Sequence, residues 1–139
     1  MELPSVLIGD TIRRGQIFHS SIFQDINHGK FFVVIGVTET EVAGFFYINS
    51  QVITNVQKKP EQLEMQYLIK KSDYSFLRYD SYINATNIIT RSKDELIKSI
   101  EEGRTYLVSS MKESHLNDLL DKVRGSKLFS KIEKKSYLY

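Results

Sequence analysis

Lys30 and Ser50 frame the chemistry that this sequence suggests. Lys30 opens the apolar run Lys30-Phe31-Phe32-Val33-Val34-Ile35-Gly36, and Ser50 closes a second run, Val42 to Asn49, after a turn over Val37 to Glu41. An ammonium and a hydroxyl at the outer ends of two adjacent strands can border one polar site. Two imidazoles stand nearby in sequence: His19 and His28 bracket the first polar loop, Gln24 to Gly29, and His28 lies just before Lys30. A pair of histidines can share acid and base roles near neutral pH. The bland alternatives are that Lys30 caps a loop end in solvent, that Ser50 only terminates a strand and that the histidines are polar surface. His115, in the last helical segment, reads as structural.

The elements that must hold these residues come from local patterning. Val33 to Ile35 and Phe45 to Ile48 are rich in β-branched and aromatic residues, and the polar turn between them predicts a hairpin. Both runs are apolar on two faces, so each face needs cover, which suits the wall of a small barrel with a helix outside. Gly36 and Gly44 fit the sharp coiling that closure requires. A first strand is expected within Ile12 to Ser21, with a bend or bulge at Gly15. The tract Gln57 to Glu61 with Pro60 reads as a surface loop. Met65 to Lys70 predicts a strand, Lys71 to Tyr74 a turn and Phe76 to Ile83 another strand.

The second half is helical by its capping chemistry. Ser92-Lys93-Asp94-Glu95 matches a capping box, with Gly103 as the stop. Ser110 to Glu113 matches the same device, and Leu116, Leu119, Leu120 and Val123 follow on one helical face with Gly125 beyond. Thr105 to Val108 reads as a short strand or extended connection. Leu128 to Lys135 reads as a short helix, and Tyr137 to Tyr139 as a return to a sheet edge.

Composition bounds the class. At 139 residues, 41% hydrophobic and 26% charged, the chain is a single globular domain rather than a disordered segment. The absence of cysteine excludes disulfide frameworks, thiolate metal sites and cysteine nucleophiles. No apolar run reaches the roughly 20 residues of a membrane span, and the amino-terminal residues lack a secretory pattern, so the expectation is a cytoplasmic protein with no membrane contact. A net charge of +2 permits nucleic-acid binding without demanding it. Beyond Asp121, six cations face the single acid Glu133; that tail either lies along phosphates or forms a solvated helix face. No phosphate-cradling glycine loop, serine triad or ligand-spaced metal cluster is visible, and no cofactor is implied.

The order of elements resembles the MazF/PemK family of toxin endoribonucleases, which are small SH3-like barrels with a carboxy-terminal helix. Arg13-Arg14-Gly15-Gln16-Ile17-Phe18 is similar to the family's opening basic motif, Lys30-Phe31 stands in place of its Arg-Pro, and Phe45 to Ser50 is similar to its second strand ending in Thr or Ser. Phe76 to Ser81 is similar to a later strand ending in Asp-Gln, and Ser110 to Val123 to the final amphipathic helix. The resemblance implies a mainly β fold with C-terminal helices: one MazF/PemK-like barrel domain over 1–139, with the barrel at about 11–90, the helical part at about 91–135 and an inserted helix at Ser92 to Glu102. It further implies metal-independent cleavage or binding of single-stranded RNA, an antitoxin-like protein partner and a homodimer. By carry-over, Lys30 contacts phosphate and Ser50 orients or donates a hydrogen bond to it; His28 joins them as a catalytic candidate through the acid–base chemistry of histidine, not through the resemblance. Arg14, His19, Tyr79 and Asp80 would face the nucleic acid.

Asp80 fits a loop tie through backbone hydrogen bonds as well as it fits a site. Tyr67, Tyr74, Tyr79 and Tyr82 fit base stacking or core packing. Four departures from the family pattern fall on functional positions: Lys30 for arginine, Phe31 for proline, Gln16 for aspartate and Ser81 for glutamine. Lysine lacks the planar two-pronged grip of arginine on phosphate. They motivate the alternative of a non-catalytic barrel module for protein or RNA interaction that has lost nuclease activity.

Overall fold

In the computed structural model, residues 12–23, 29–50 and 59–139 are described. Among these residues, seven strands form one antiparallel sheet: β1 (Gln16–Ser20), β2 (Lys30–Val37), β3 (Val42–Asn49), β4 (Gln66–Ile69), β5 (Ser81–Asn84), β6 (Ile89–Ser92) and β7 (Thr105–Ser110). The helices are α1 (Pro60–Leu63), α2 (Lys93–Glu101), α3 (Glu113–Arg124) and α4 (Lys131–Glu133), the last running into a π-helical turn at Lys134–Leu138. The strand order is β4-β5-β3-β2-β1-β7, with β6 also pairing β3.

The β2–β3 hairpin is the spine, as its composition predicts. Phe31 pairs with Ile48, Val33 with Phe46, and Gly36 with Gly44, around a turn closed by Thr38 and Val42. Alternate residues enter two separate cores. Val33, Ile35, Phe46 and Ile48 meet Leu119, Leu120 and Val123 of α3 together with Phe129 and Leu138. Phe32, Val34 and Phe45 meet Leu96 of α2 with Phe18 and Phe23. A helix-bearing layer on each face therefore accounts for strands that are apolar on both sides.

That arrangement corrects the expected barrel. The fold is mainly β with its longer helices towards the carboxy end, but the sheet is open rather than closed. Cover comes from α2 on one face and from α3 and the tail on the other, so no strand has to close on itself. β3 serves two partners along one edge, β6 through Val42 to Phe45 and β5 through Ile48 and Asn49, so the β4–β5 ribbon leaves the sheet at the Asn49 end. The short strand expected near Thr105 to Val108 is β7, which pairs with β1 at the sheet edge.

Gly36 and Gly44 do something other than coil the sheet. A side-chain carbon at Gly36 would collide with the backbone of Tyr137, and one at Gly44 would sit 2.5 Å from the Tyr137 ring. The glycine pair thus lets the carboxy-terminal π turn lie directly on the sheet. The tail caps this face and does not return to an edge.

Smaller expectations divide in the same way. β1 follows a turn at Arg14 and Gly15, and the Ser92 hydroxyl accepts from Glu95 N at 3.1 Å to start α2. Ser110 does not start α3: it ends β7, paired with Gln16, and the N-cap is Lys112. The full capping box is at Ser130 and Glu133. Pro60 occupies the first turn of α1, where its missing N–H costs nothing. Phe76 to Asp80 is turn and bend, and only Ser81–Asn84 is strand. A buried hydroxyl chain, Ser20 to Thr105 at 2.6 Å and Ser99 to Thr105 at 2.7 Å, ties α2 to β1 and β7. Among the described residues, no helix is long and apolar enough to cross a membrane.

Candidate functional site

Lys30 is the first residue of β2, and Asn49 is the last of β3. The hairpin register sets their neighbours Phe31 and Ile48 opposite each other, so Lys30 and Asn49 meet on the face shared with Tyr47. The Lys30 ammonium donates to Asn49 Oδ1 and lies 5.6 Å from the Tyr47 ring centroid. Burial at this position holds the amine below the usual lysine range, because the charged form loses solvation.

A groove of about 560 Å³ crosses the ends of these strands. Lys30, Asn49 and Ser50 line one side of it, and Phe31, Phe76 and Tyr79 belong to its aromatic part. Arg78 adds a second cation, and no Asp or Glu lines the groove among the described residues. Tyr79 is 66% exposed, which leaves its ring free to stack on a planar ligand. Phe76 packs on Phe31 with centroids 5.0 Å apart, which supports that wall from behind. A positive, partly aromatic groove of this kind suits a ligand that combines an anion with a flat ring.

The turn that presents Arg78 and Tyr79 is held by its own side chains. Asp80 Oδ1 accepts from Lys71 N at 2.8 Å, and the Ser81 hydroxyl donates to Tyr79 O at 2.8 Å. Asp80 therefore does the loop-tying work that its position permits, and it is not among the groove's lining residues. Leu77 is drawn inward by a 3.1 Å bond from its N–H to Tyr74 O, which turns its neighbours out.

The other sequence-derived site residues are dispersed. His19 lies beside the groove rather than in it: its ring packs on Phe31 at 4.8 Å and on Tyr106 at 5.1 Å. It also covers Gly29, whose φ of 59° and lack of a side chain let its backbone lie under the imidazole. His28 lies outside the described residues. Arg14 is at the opposite end of the hairpin. Its guanidinium donates to Ile35 O at 2.7 Å, Tyr137 O at 3.0 Å and Tyr139 O at 3.2 Å. Burial and the charge of Arg124 both lower its pKa. His115 accepts or donates at Nδ1 with the Tyr74 hydroxyl, 2.7 Å away, which fastens α3 to the turn after β4.

Sequence reasoning passed over Asn49, Arg78, Phe31 as a wall and Phe76. Asn49 carried one usable signal, its place next to Ser50 at a strand end. Arg78 carried none, because its exposure depends on the turn at residues 76–80. No protein-family model matches the chain, and no curated protein matches it.

Proposed function

We propose that the groove across the Lys30, Asn49 and Ser50 strand ends binds single-stranded RNA, in a diverged MazF/PemK-like fold whose SH3-like barrel has opened into a sheet. The observation that carries this reading is the groove itself: Lys30 and Ser50, distant in sequence, share it with Arg78 and an exposed Tyr79, and no carboxylate lines it among the described residues. Lys30 and Arg78 attract the phosphates, Tyr79 stacks on a base, and the Ser50 hydroxyl donates to a phosphoryl oxygen. Fluorescence anisotropy with a labelled mixed-sequence single strand, in chelator and at two salt concentrations, tests it. Binding that weakens with salt, and about tenfold weaker binding by Lys30→Ala or Tyr79→Ala, is the expected result. Absence of any salt-dependent affinity removes the reading and favours a protein-interaction module.

A second reading is metal-independent cleavage of the bound strand, favoured by the depressed pKa of Lys30 in a groove that Ser50 also lines. The substrate's 2′-hydroxyl attacks the adjacent phosphorus and its proton passes to a base. The bond to the 5′-oxygen then breaks as that oxygen takes up a proton, leaving a cyclic phosphate and a 5′-hydroxyl. Lys30 as free amine is one proton acceptor, so cleavage in chelator should rise with pH and vanish in Lys30→Ala. Intact RNA across the pH range would leave binding alone. An antitoxin-like partner and a homodimer belong to the same proposal, and co-expression with an acidic partner and sedimentation test them.

A further inference from the structure

We propose that Asn49 makes the groove selective for the keto pyrimidine uracil over the amino pyrimidine cytosine. This rests on the RNA-binding reading of the same groove.

The argument begins with the hydrogen-bonding capacity of an ammonium, which has three donors and no acceptor. Lys30 Nζ meets the Asn49 side chain, so the amide can face it only through Oδ1. The amide plane is thereby fixed, and its Nδ2 with two N–H donors points away from Lys30. Among the described residues, no acceptor is bonded to that nitrogen. Asn49 is half-buried at the end of β3 and lines the groove with Ser50 and Tyr79. The groove therefore offers two oriented donors next to a ring platform. The Lys30 ammonium beside Oδ1 also polarises the amide and strengthens those donors.

A base stacked on Tyr79 presents its edge to these donors. Uracil O4 accepts from them. Cytosine carries an amino group at the same position, so two N–H donors would face each other there. Ser50 does not undo the discrimination, because a hydroxyl donates or accepts as needed. One such contact is worth about tenfold in affinity.

The test uses the full chain and two labelled single strands, oligo(U) and oligo(C), whose bases are close in size and differ at position 4 and in the protonation of N3. Anisotropy titrations of the wild type should give about tenfold tighter binding to oligo(U). Asn49→Asp puts an acceptor where the donor was, and the preference should vanish or turn towards oligo(C). Asn49→Ala should bind both alike, with its fold checked by circular dichroism. Lys30→Met frees the amide to rotate, so the ratio between the two strands should fall towards one along with overall affinity. A wild type that binds both strands equally and in a salt-dependent way keeps the RNA reading and overturns keto selection. So does an unchanged preference in Asn49→Asp. A wild type that binds neither strand removes the RNA reading and this inference with it.

Discussion

The two ends of the β2–β3 hairpin share the same strands and register yet are finished in opposite ways. At one end, Gly36 and Gly44 leave room for the Tyr137 backbone and ring to lie against the sheet. The cation beside them, Arg14, is spent on three backbone carbonyls. Arg124 reinforces that closure with a 2.6 Å bond to Leu138 O and a guanidinium 5.0 Å from the Tyr139 ring. At the other end, the one side-chain hydrogen bond of Lys30 among the described residues goes to the neutral Asn49, and the strand ends open into a groove. Both ends carry a basic residue of the kind expected to meet phosphate. What distinguishes a structural cation from a candidate binding cation is whether its donors are already taken, and by what.

The comparison breaks most visibly at the closed end. Gly36→Val should lower stability by about 3 kcal/mol, because the new side chain meets backbone that cannot step aside. Thermal melts should fall by about 10 °C, and an unchanged melting temperature would show that the tail is not seated on the glycines. Arg14→Ala should cost about 2 kcal/mol in denaturant titrations, since part-buried carbonyls of Ile35 and Tyr137 lose their donor, while RNA affinity stays at the wild-type level. A loss of RNA affinity without loss of stability would place Arg14 in the binding surface after all.

A control away from both ends sharpens the contrast. Ser92→Ala removes the hydroxyl that accepts from Glu95 N and should cost about 1 kcal/mol by urea unfolding, with no effect on ligand binding. The smallest effect is the alkaline slope of stability. The folded-state pKa of Lys30 lies below its ordinary 10.5, so between the two values the unfolded chain binds more protons. The burial penalty is thus fully present at neutral pH and is relieved as pH rises through the folded value. Tyr67, Tyr74 and Tyr137 have raised pKa values and act in the opposite sense above pH 10. The stability difference between wild type and Lys30→Met cancels the tyrosines and should grow in favour of wild type as pH rises towards 10.5. A flat difference would mean that Lys30 is as well solvated folded as unfolded.

Much of the scaffold was legible because local patterns and tertiary packing agree. The hairpin strands are dense in β-branched and aromatic residues, and they are the most completely buried strands in the described structure. The spacing of Leu119, Leu120 and Val123 marks the buried face of α3, and Ser92 caps α2 as its sequence suggests. The errors arose where one residue had two local uses. Ser110 fits a helix cap, but its backbone is committed to the ladder with Gln16. Residues 76–80 fit a strand, but Asp80 and Ser81 spend their side chains on nearby backbone and fold the segment into a turn. The barrel inference failed for a related reason: strands apolar on both faces require cover, and the pattern does not say whether another strand or a helix provides it.

For the candidate site, Lys30 and Ser50 stood out because they mark where apolar runs end, and strand ends are a property of the chain itself. The sequence by itself thus determined the hairpin strands, the two helical faces and the polar residues at their boundaries, all of which depend on neighbours within a few positions. Tertiary structure alone decided that Arg14 would serve the tail and that Asn49 would take Lys30 as its partner. It also decided that Arg78 and Tyr79 would join them across a groove. Those choices depend on which distant backbone fills the space beside each side chain, and periodicity along the chain carries no record of that.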